Sequence, residues 1–167
     1  TRSPAARPAT ADSTAPVSCA TDLTLAGAPD TGYNFLCTQG GVPVSWSTDR
    51  IVIYESDLSP VQQAAFTIAA VQWSAAAHFQ VSYTSSPQVA NVTVTGGDLD
   101  LSQPGYVEDG YTTVSYRCTP GCAYRSARVE LTSTADLLQT DWVSTILHEL
   151  GHVAGLNHVS RVGEVMY

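Results

Sequence analysis

His148-Glu149-Leu150-Gly151-His152-Val153-Ala154-Gly155-Leu156-Asn157-His158 decides how this chain is read. His148 and His152 are four residues apart, so on a helix they share one face about one turn apart. Two ring nitrogens can then reach a single metal ion. Glu149 follows the first histidine and can point toward a water held by that ion. Gly155 lets the chain leave the helix, and His158 can swing back as a third ligand. Three protein ligands leave one position open for water, the layout of a catalytic zinc site rather than a closed structural one. Ordinary helix composition does not account for the pattern. Three of the four histidines sit in these eleven residues, and histidine is only a modest helix former. A shuffled chain of this composition matches all five fixed positions with a probability on the order of one in a hundred thousand.

These residues resemble the signature of metzincin zinc metalloproteases, H-E-x-x-H-x-x-G-x-x-H followed by a Met-turn. Glu164-Val165-Met166-Tyr167 looks like that turn, and Met166 is the single methionine of the chain. The stretch Ser160 to Tyr167 is most similar to the matrixin branch, the matrix metalloproteinase type, where Met-Tyr is typical. Astacins and serralysins place a zinc-binding tyrosine two residues after the methionine. Tyr167 is one residue after it, so that ligand role does not carry over. Snapalysin-like enzymes use Asp as third ligand, where this chain has His158. The resemblance implies one catalytic Zn2+ held by His148, His152 and His158, with Glu149 as general base. Met166 would pack beneath the ligands, a role close to ordinary core filling.

Composition narrows the setting. With 167 residues the chain fits one domain with a real core. Only 13% of residues are charged and the formal net charge is −8. That balance argues against nucleic acid, since phosphate binding needs clustered Lys and Arg. No apolar run approaches a membrane span. No signal peptide is visible and the first residue is not Met, as expected of a mature or trimmed form.

Four cysteines, Cys19, Cys37, Cys118 and Cys122, permit three pairings. The simplest is Cys19–Cys37 with Cys118–Cys122, the second closing a Pro-Gly turn. A zinc knuckle is the alternative, but Cys19 and Cys37 lack close pair spacing and no spare histidine lies nearby. Disulfides imply a secreted, extracellular protein. A matrixin-like cysteine switch finds only a loose echo in Cys37-Thr38-Gln39-Gly40-Gly41-Val42-Pro43, and would strand an unpaired cysteine.

Residues 1–41 read as a disordered or loop-like N-terminal segment, a possible pro-segment remnant, with Ser18 to Gly41 stapled by the first disulfide. Residues 42–167 read as the peptidase domain. Val42 to Trp46 and Ile51 to Tyr54 are strand-like. Ser59-Pro60-Val61-Gln62 is a helix start with capping box, followed by a buried stripe of Phe66, Ala70, Trp73 and Ala77. Val81 to Tyr83 and Asn91 to Thr95 are the next strands, and strand–helix–strand implies a βαβ crossover. A polar loop, Gly96 to Gly110, precedes two strands, Tyr111 to Arg117 and Tyr124 to Leu131. A second helix, Trp142 to Val153, is capped by Asp141 or Thr140 and ended by Gly155. The expected fold is α+β. By resemblance it is metzincin-like, with a twisted mixed sheet, a long first helix and a zinc-binding active-site helix. Its C-terminal part is truncated or very short, since the chain stops where matrixins continue into a specificity-pocket wall and a further helix.

Smaller features weigh less. His78 at a helix end reads as structural, favoured there by the dipole. The structural second zinc of matrixins is not expected, because the loop from Asp98 to Asp109 has no histidine. Asp98, Asp100, Glu108 and Asp109 could bind Ca2+, but solvated loop carboxylates fit them better. Asn91-Val92-Thr93 matches a glycosylation acceptor but falls in a strand.

Together these readings point to a monomeric zinc-dependent endopeptidase acting on extracellular proteins or peptides. Substrate would add to an exposed strand edge, which the resemblance places near Tyr111 to Tyr116. The rival is a catalytically silent module, or fragment, that binds zinc and partners. A small-peptide metallopeptidase with a narrow site has no positive support in the sequence.

Overall fold

The computed structural model describes residues 15–19, 34–97, 109–118, 121–133, 138–160 and 164–166. Its elements run β1 Val17–Cys19, β2 Cys37–Gln39, β3 Val42–Pro43, β4 Ser45–Trp46, β5 Arg50–Ser56, α1 Pro60–Ala77, β6 Gln80–Tyr83, β7 Val92–Gly97, β8 Gly110–Cys118, β9 Cys122–Thr132 and α2 Gln139–Val153. The architecture is α+β, with one mixed six-stranded sheet and two helices, as expected.

In the large sheet β5 lies between β6 and β7, both parallel to it, and β7 is parallel to β9. The parallel pairing of β5 and β6 across α1 is the crossover arrangement that the order strand–helix–strand predicts. β4 pairs with β9 at Ala123 and Tyr124, and β7 takes the later half of β9 from Ala127 to Thr132. β8 is antiparallel to β9 from Gly110 to Cys118 and is bonded to no other strand among the described residues. Among the described residues it is therefore an edge, and it contains the stretch Tyr111 to Tyr116 near which the family resemblance places the substrate edge.

Alternation drives the sheet's packing. Ile51 and Ile53 in β5, Val92 and Val94 in β7, and Val129 and Leu131 in β9 turn inward and are almost wholly buried. They meet Ala65, Phe66, Ala69 and Ala70 of α1 and Trp142, Ile146, Leu150 and Val153 of α2. The alanines let α1 lie close on the core. Ala65 and Ala69 thus extend the buried stripe anticipated from Phe66 and Ala70, while Trp73 is only partly buried.

The start of α1 forms as its sequence demands. Ser59 Oγ accepts from the Gln62 amide at 3.2 Å and Gln62 Oε1 accepts from the Ser59 amide at 2.9 Å. The same Gln62 side chain donates to the Thr132 carbonyl, tying the helix start to the end of β9. The helix ends at His78, exposed and in the left-handed region at φ 57°.

Several local expectations change. α2 begins at Gln139, with Leu138 as its N-cap and no side-chain capping bond, so neither Thr140 nor Asp141 caps it. Asp141 instead sits in the first turn, where its charge suits the helix dipole. The strand expected from Val42 to Trp46 is split. β3 pairs with β2 in a separate three-stranded sheet, whereas β4 joins the large one. Within the loop-like stretch from Ser18 to Gly41, β1 and β2 pair in register with Cys19 opposite Cys37. Both simple disulfides, Cys19–Cys37 and Cys118–Cys122, are formed. Asn91 precedes β7 rather than lying in it. Its side chain is used structurally: Oδ1 accepts from the Val52 amide at 2.7 Å and Nδ2 donates to the Arg50 carbonyl at 2.8 Å. Both ends of that carboxamide are thus engaged with the backbone of β5. Among the described residues no helix is long and apolar enough to cross a membrane.

Candidate metal centre

α2 carries His148, Glu149 and His152 through its last two turns. Its exit is a Schellman-type close. The Gly155 amide donates to the His152 carbonyl at 2.9 Å and the Leu156 amide to the Gly151 carbonyl at 2.9 Å. Gly155 stands at φ 92°, a conformation that side chains with a Cβ resist. The chain leaves the helix there and is caught from the other side. Leu36 donates to the Gly155 carbonyl at 2.8 Å, Asn157 donates to the Asn34 carbonyl at 3.0 Å, and Phe35 bridges Leu156. His158 follows directly, and the Val159 amide donates to the Met166 carbonyl at 2.9 Å. Met166 is buried, and a Cβ added to Gly151 would collide with its sulfur. The methionine therefore lies against the histidine-bearing turn of α2, where the sequence expects it. Tyr167 and the residues 161–163 lie outside the described residues.

The three histidines converge. Their rings form a near-equilateral triangle, each pair of centroids 4.8 Å apart. Their ligand atoms lie within 4.8 Å of one another, and among the described residues this is the group able to hold a metal ion. His78 is not part of it. Of the four acidic residues considered for calcium, only Asp109 is described, and among the described residues it joins no group able to hold a metal ion.

Hydrogen bonding decides which nitrogens are available. His148 Nδ1 lies 2.8 Å from the Val165 carbonyl, and His152 Nδ1 lies 2.8 Å from the Leu156 carbonyl. A carbonyl only accepts, so both Nδ1 atoms carry the proton and both Nε2 atoms present lone pairs. Such backbone partners are what orient imidazole ligands in metal sites. His148 Nε2 faces His158 Nε2 at 2.8 Å. Two nitrogens that close need a proton or a cation between them, because facing lone pairs repel. Burial pushes the His148 imidazolium down, with the Val165 bond opposing. Burial, the neighbouring His148 and more weakly His158 hold His152 at about 3, against the Leu156 bond. These histidines are therefore neutral near pH 7, the state that ligates a metal. A nitrogen-only set of three imidazoles fits Zn2+ and suits Ca2+ poorly, since calcium takes oxygen ligands.

Glu149 is buried on the β8 side of α2, which packs along that strand. The Thr112 hydroxyl donates to Glu149 Oε2 at 2.6 Å and lies 3.2 Å from the Glu149 carbonyl oxygen. Gly110, two residues earlier on β8 and so on the same face, leaves space beside the carboxyl. A Cβ there would sit 2.8 Å from Glu149 Cγ and from Oε1. Neither Thr112 nor Gly110 stands out in the sequence. A threonine in a β-branched run reads as strand filler, and the carbonyls of Val165 and Leu156 have no residue signature at all.

No protein-family model matches the chain and no curated protein matches it. Among solved structures the chain is similar to two of myroilysin. One is 17% identical over 69% of this chain and 47% of that one, with a TM-score of 0.48. The other is 15% identical over 67% and 50%, with a TM-score of 0.46. The chain thus spans about half the length of these two, and the chemistry of the site rests on its own residues.

Proposed function

We propose that this chain is a secreted, monomeric zinc-dependent endopeptidase of metzincin, matrixin-like type, hydrolysing peptide bonds in extracellular proteins or peptides. The observation that carries the reading is the histidine triangle, with Nδ1 of His148 and of His152 bonded to backbone carbonyls and Glu149 on the same helix. The two disulfides fit an oxidising compartment. The peptidase unit is residues 42–167, with Asn34, Phe35 and Leu36 of the N-terminal segment docked against the exit of its metal helix.

His148, His152 and His158 hold the ion. A bound Zn2+ supplies Lewis acidity, lowering the pKa of a water toward neutrality and polarising the scissile carbonyl. Glu149 takes the proton of the attacking water and delivers a proton to the leaving amine. β8, with one edge unpaired among the described residues, takes the extended substrate as an added strand.

The deciding experiment pairs metal analysis with a quenched-peptide library, with and without chelator. The expected result is one zinc per chain and cleavage that chelation abolishes. Glu149→Gln retains zinc and loses about 10²- to 10⁴-fold in kcat, the usual reach of general acid–base catalysis. Bound zinc with no cleavage at high enzyme concentration would instead identify a silent zinc-binding module.

A further inference from the structure

We propose that Thr112 is a positioning residue that sets the Glu149 carboxylate for proton transfer, with Gly110 providing the space in which the carboxylate sits. This rests on the peptidase reading above, in which Glu149 is the base.

Three observations carry it. First, the hydroxyl–carboxylate bond is short, 2.6 Å, and joins two buried residues of different elements. A hydrogen bond to an ionised acceptor is roughly twice as strong as one between neutral groups. Second, Thr112 and Gly110 alternate onto one face of β8, and that face lies against α2. One residue holds the carboxyl group and the other makes room for it. Third, the helix alone does not fix this side chain. A glutamate has three rotatable torsions, and only its Cα is placed by α2. The partner from the sheet selects one arrangement, as a carboxylate base requires when a small misplacement costs rate. β8 is also the strand assigned to substrate, so a single strand would set both the scissile bond and the base. Their relative distance then does not depend on the packing of two independent elements.

The test uses Thr112→Val, which keeps the shape and removes the hydroxyl, beside Thr112→Ser, which keeps the hydroxyl. In the zinc-loaded protein, Thr112→Val is expected to lose about tenfold to a hundredfold in kcat, the range seen when such outer partners are removed. KM and zinc content stay unchanged, and Thr112→Ser stays within about threefold of the parent. The second readout needs neither metal nor turnover. The carboxylate stretch of Glu149, isolated as the infrared difference between the metal-free chain and its Glu149→Gln variant, is expected to shift in Thr112→Val and return in Thr112→Ser. If Thr112→Val fails to fold, Gly110→Ala tests the same placement from the other side, and the same kcat loss and band shift are expected. An unshifted band, an unchanged kcat, or a loss shared equally by Thr112→Ser overturns the proposal. If the parent chain itself cleaves nothing, the peptidase reading fails and the positioning role falls with it. The infrared band then reports separately whether the bond exists.

Discussion

At the scale of single residues, proton count is the most direct handle on the site. His152 is held at about 3, well below the 6.5 of a free histidine. Between those values the unfolded chain carries a proton that the folded chain does not. Stability therefore rises with pH across that window, and it is lost as pH falls from 6.5 toward 3. The burial of His148 acts in the same direction. We predict that the melting temperature of the metal-free protein drops steadily from pH 7 to pH 5, with a slope of up to about 1.4 kcal/mol per pH unit for each such histidine. His152→Ala, which has nothing to protonate there, should flatten the curve. A slope unaltered by that substitution would mean that the acid sensitivity lies elsewhere.

At the scale of elements, two helix ends make a controlled comparison. Ser59 caps α1 far along the chain from the histidines, whereas Gly155 ends α2 between two of them. Ser59→Ala removes a capping bond and costs about 1 kcal/mol. Gly155→Ala forces a Cβ into the left-handed region at about 1–2 kcal/mol and brings it 3.0 Å from the Tyr124 ring. Both substitutions lower the denaturation midpoint. Only Gly155→Ala is expected to weaken zinc binding as well, because His158 follows that turn. Competition with a colorimetric chelator checks this, and equal zinc affinity in the two variants would refute it.

The same scale explains what was legible in the sequence. The histidine cluster was readable because its three members fall within eleven consecutive residues at a spacing that one helix and its exit can bring together. α1 was readable because Ser59, Pro60 and Gln62 spell its start and Phe66 and Ala70 mark its inner face. The start of α2 was misjudged because Leu138 caps it through backbone geometry alone, while Thr140 and Asp141 have the right side chains in the wrong places. β1 to β4 are two or three residues long, too short for alternation to register. Thr112 and Gly110 were invisible for a different reason. Their part depends on which strand faces α2, and that is a property of the assembled sheet.

For the whole molecule, the ion and the fold should support each other. A ligand that binds only the folded chain stabilises it by about 2.7 kcal/mol at a hundred times its dissociation constant. Chelation is therefore expected to lower the melting temperature by several degrees, and excess zinc to restore it. Glu149→Gln, which keeps the three histidines, should respond as the parent does, whereas His158→Ala should show little response. Calorimetry with and without chelator measures this. A melting temperature indifferent to chelator would argue against any resident metal.

The clamp on the exit of α2 has a consequence in time rather than in space. Leu36 and Asn34 hold Gly155 and Asn157 from nearly the opposite end of the described chain. Contacts between distant segments form late, since a long loop must close before they repay its entropy. His148 and His152 come into line as soon as the helix forms, but His158 waits for the segment Asn34 to Leu36 to dock. The complete tripod is thus an end-of-folding event. A chain that has not finished folding offers two imidazoles where the finished one offers three, which would tie the gain of metal affinity to the completion of folding.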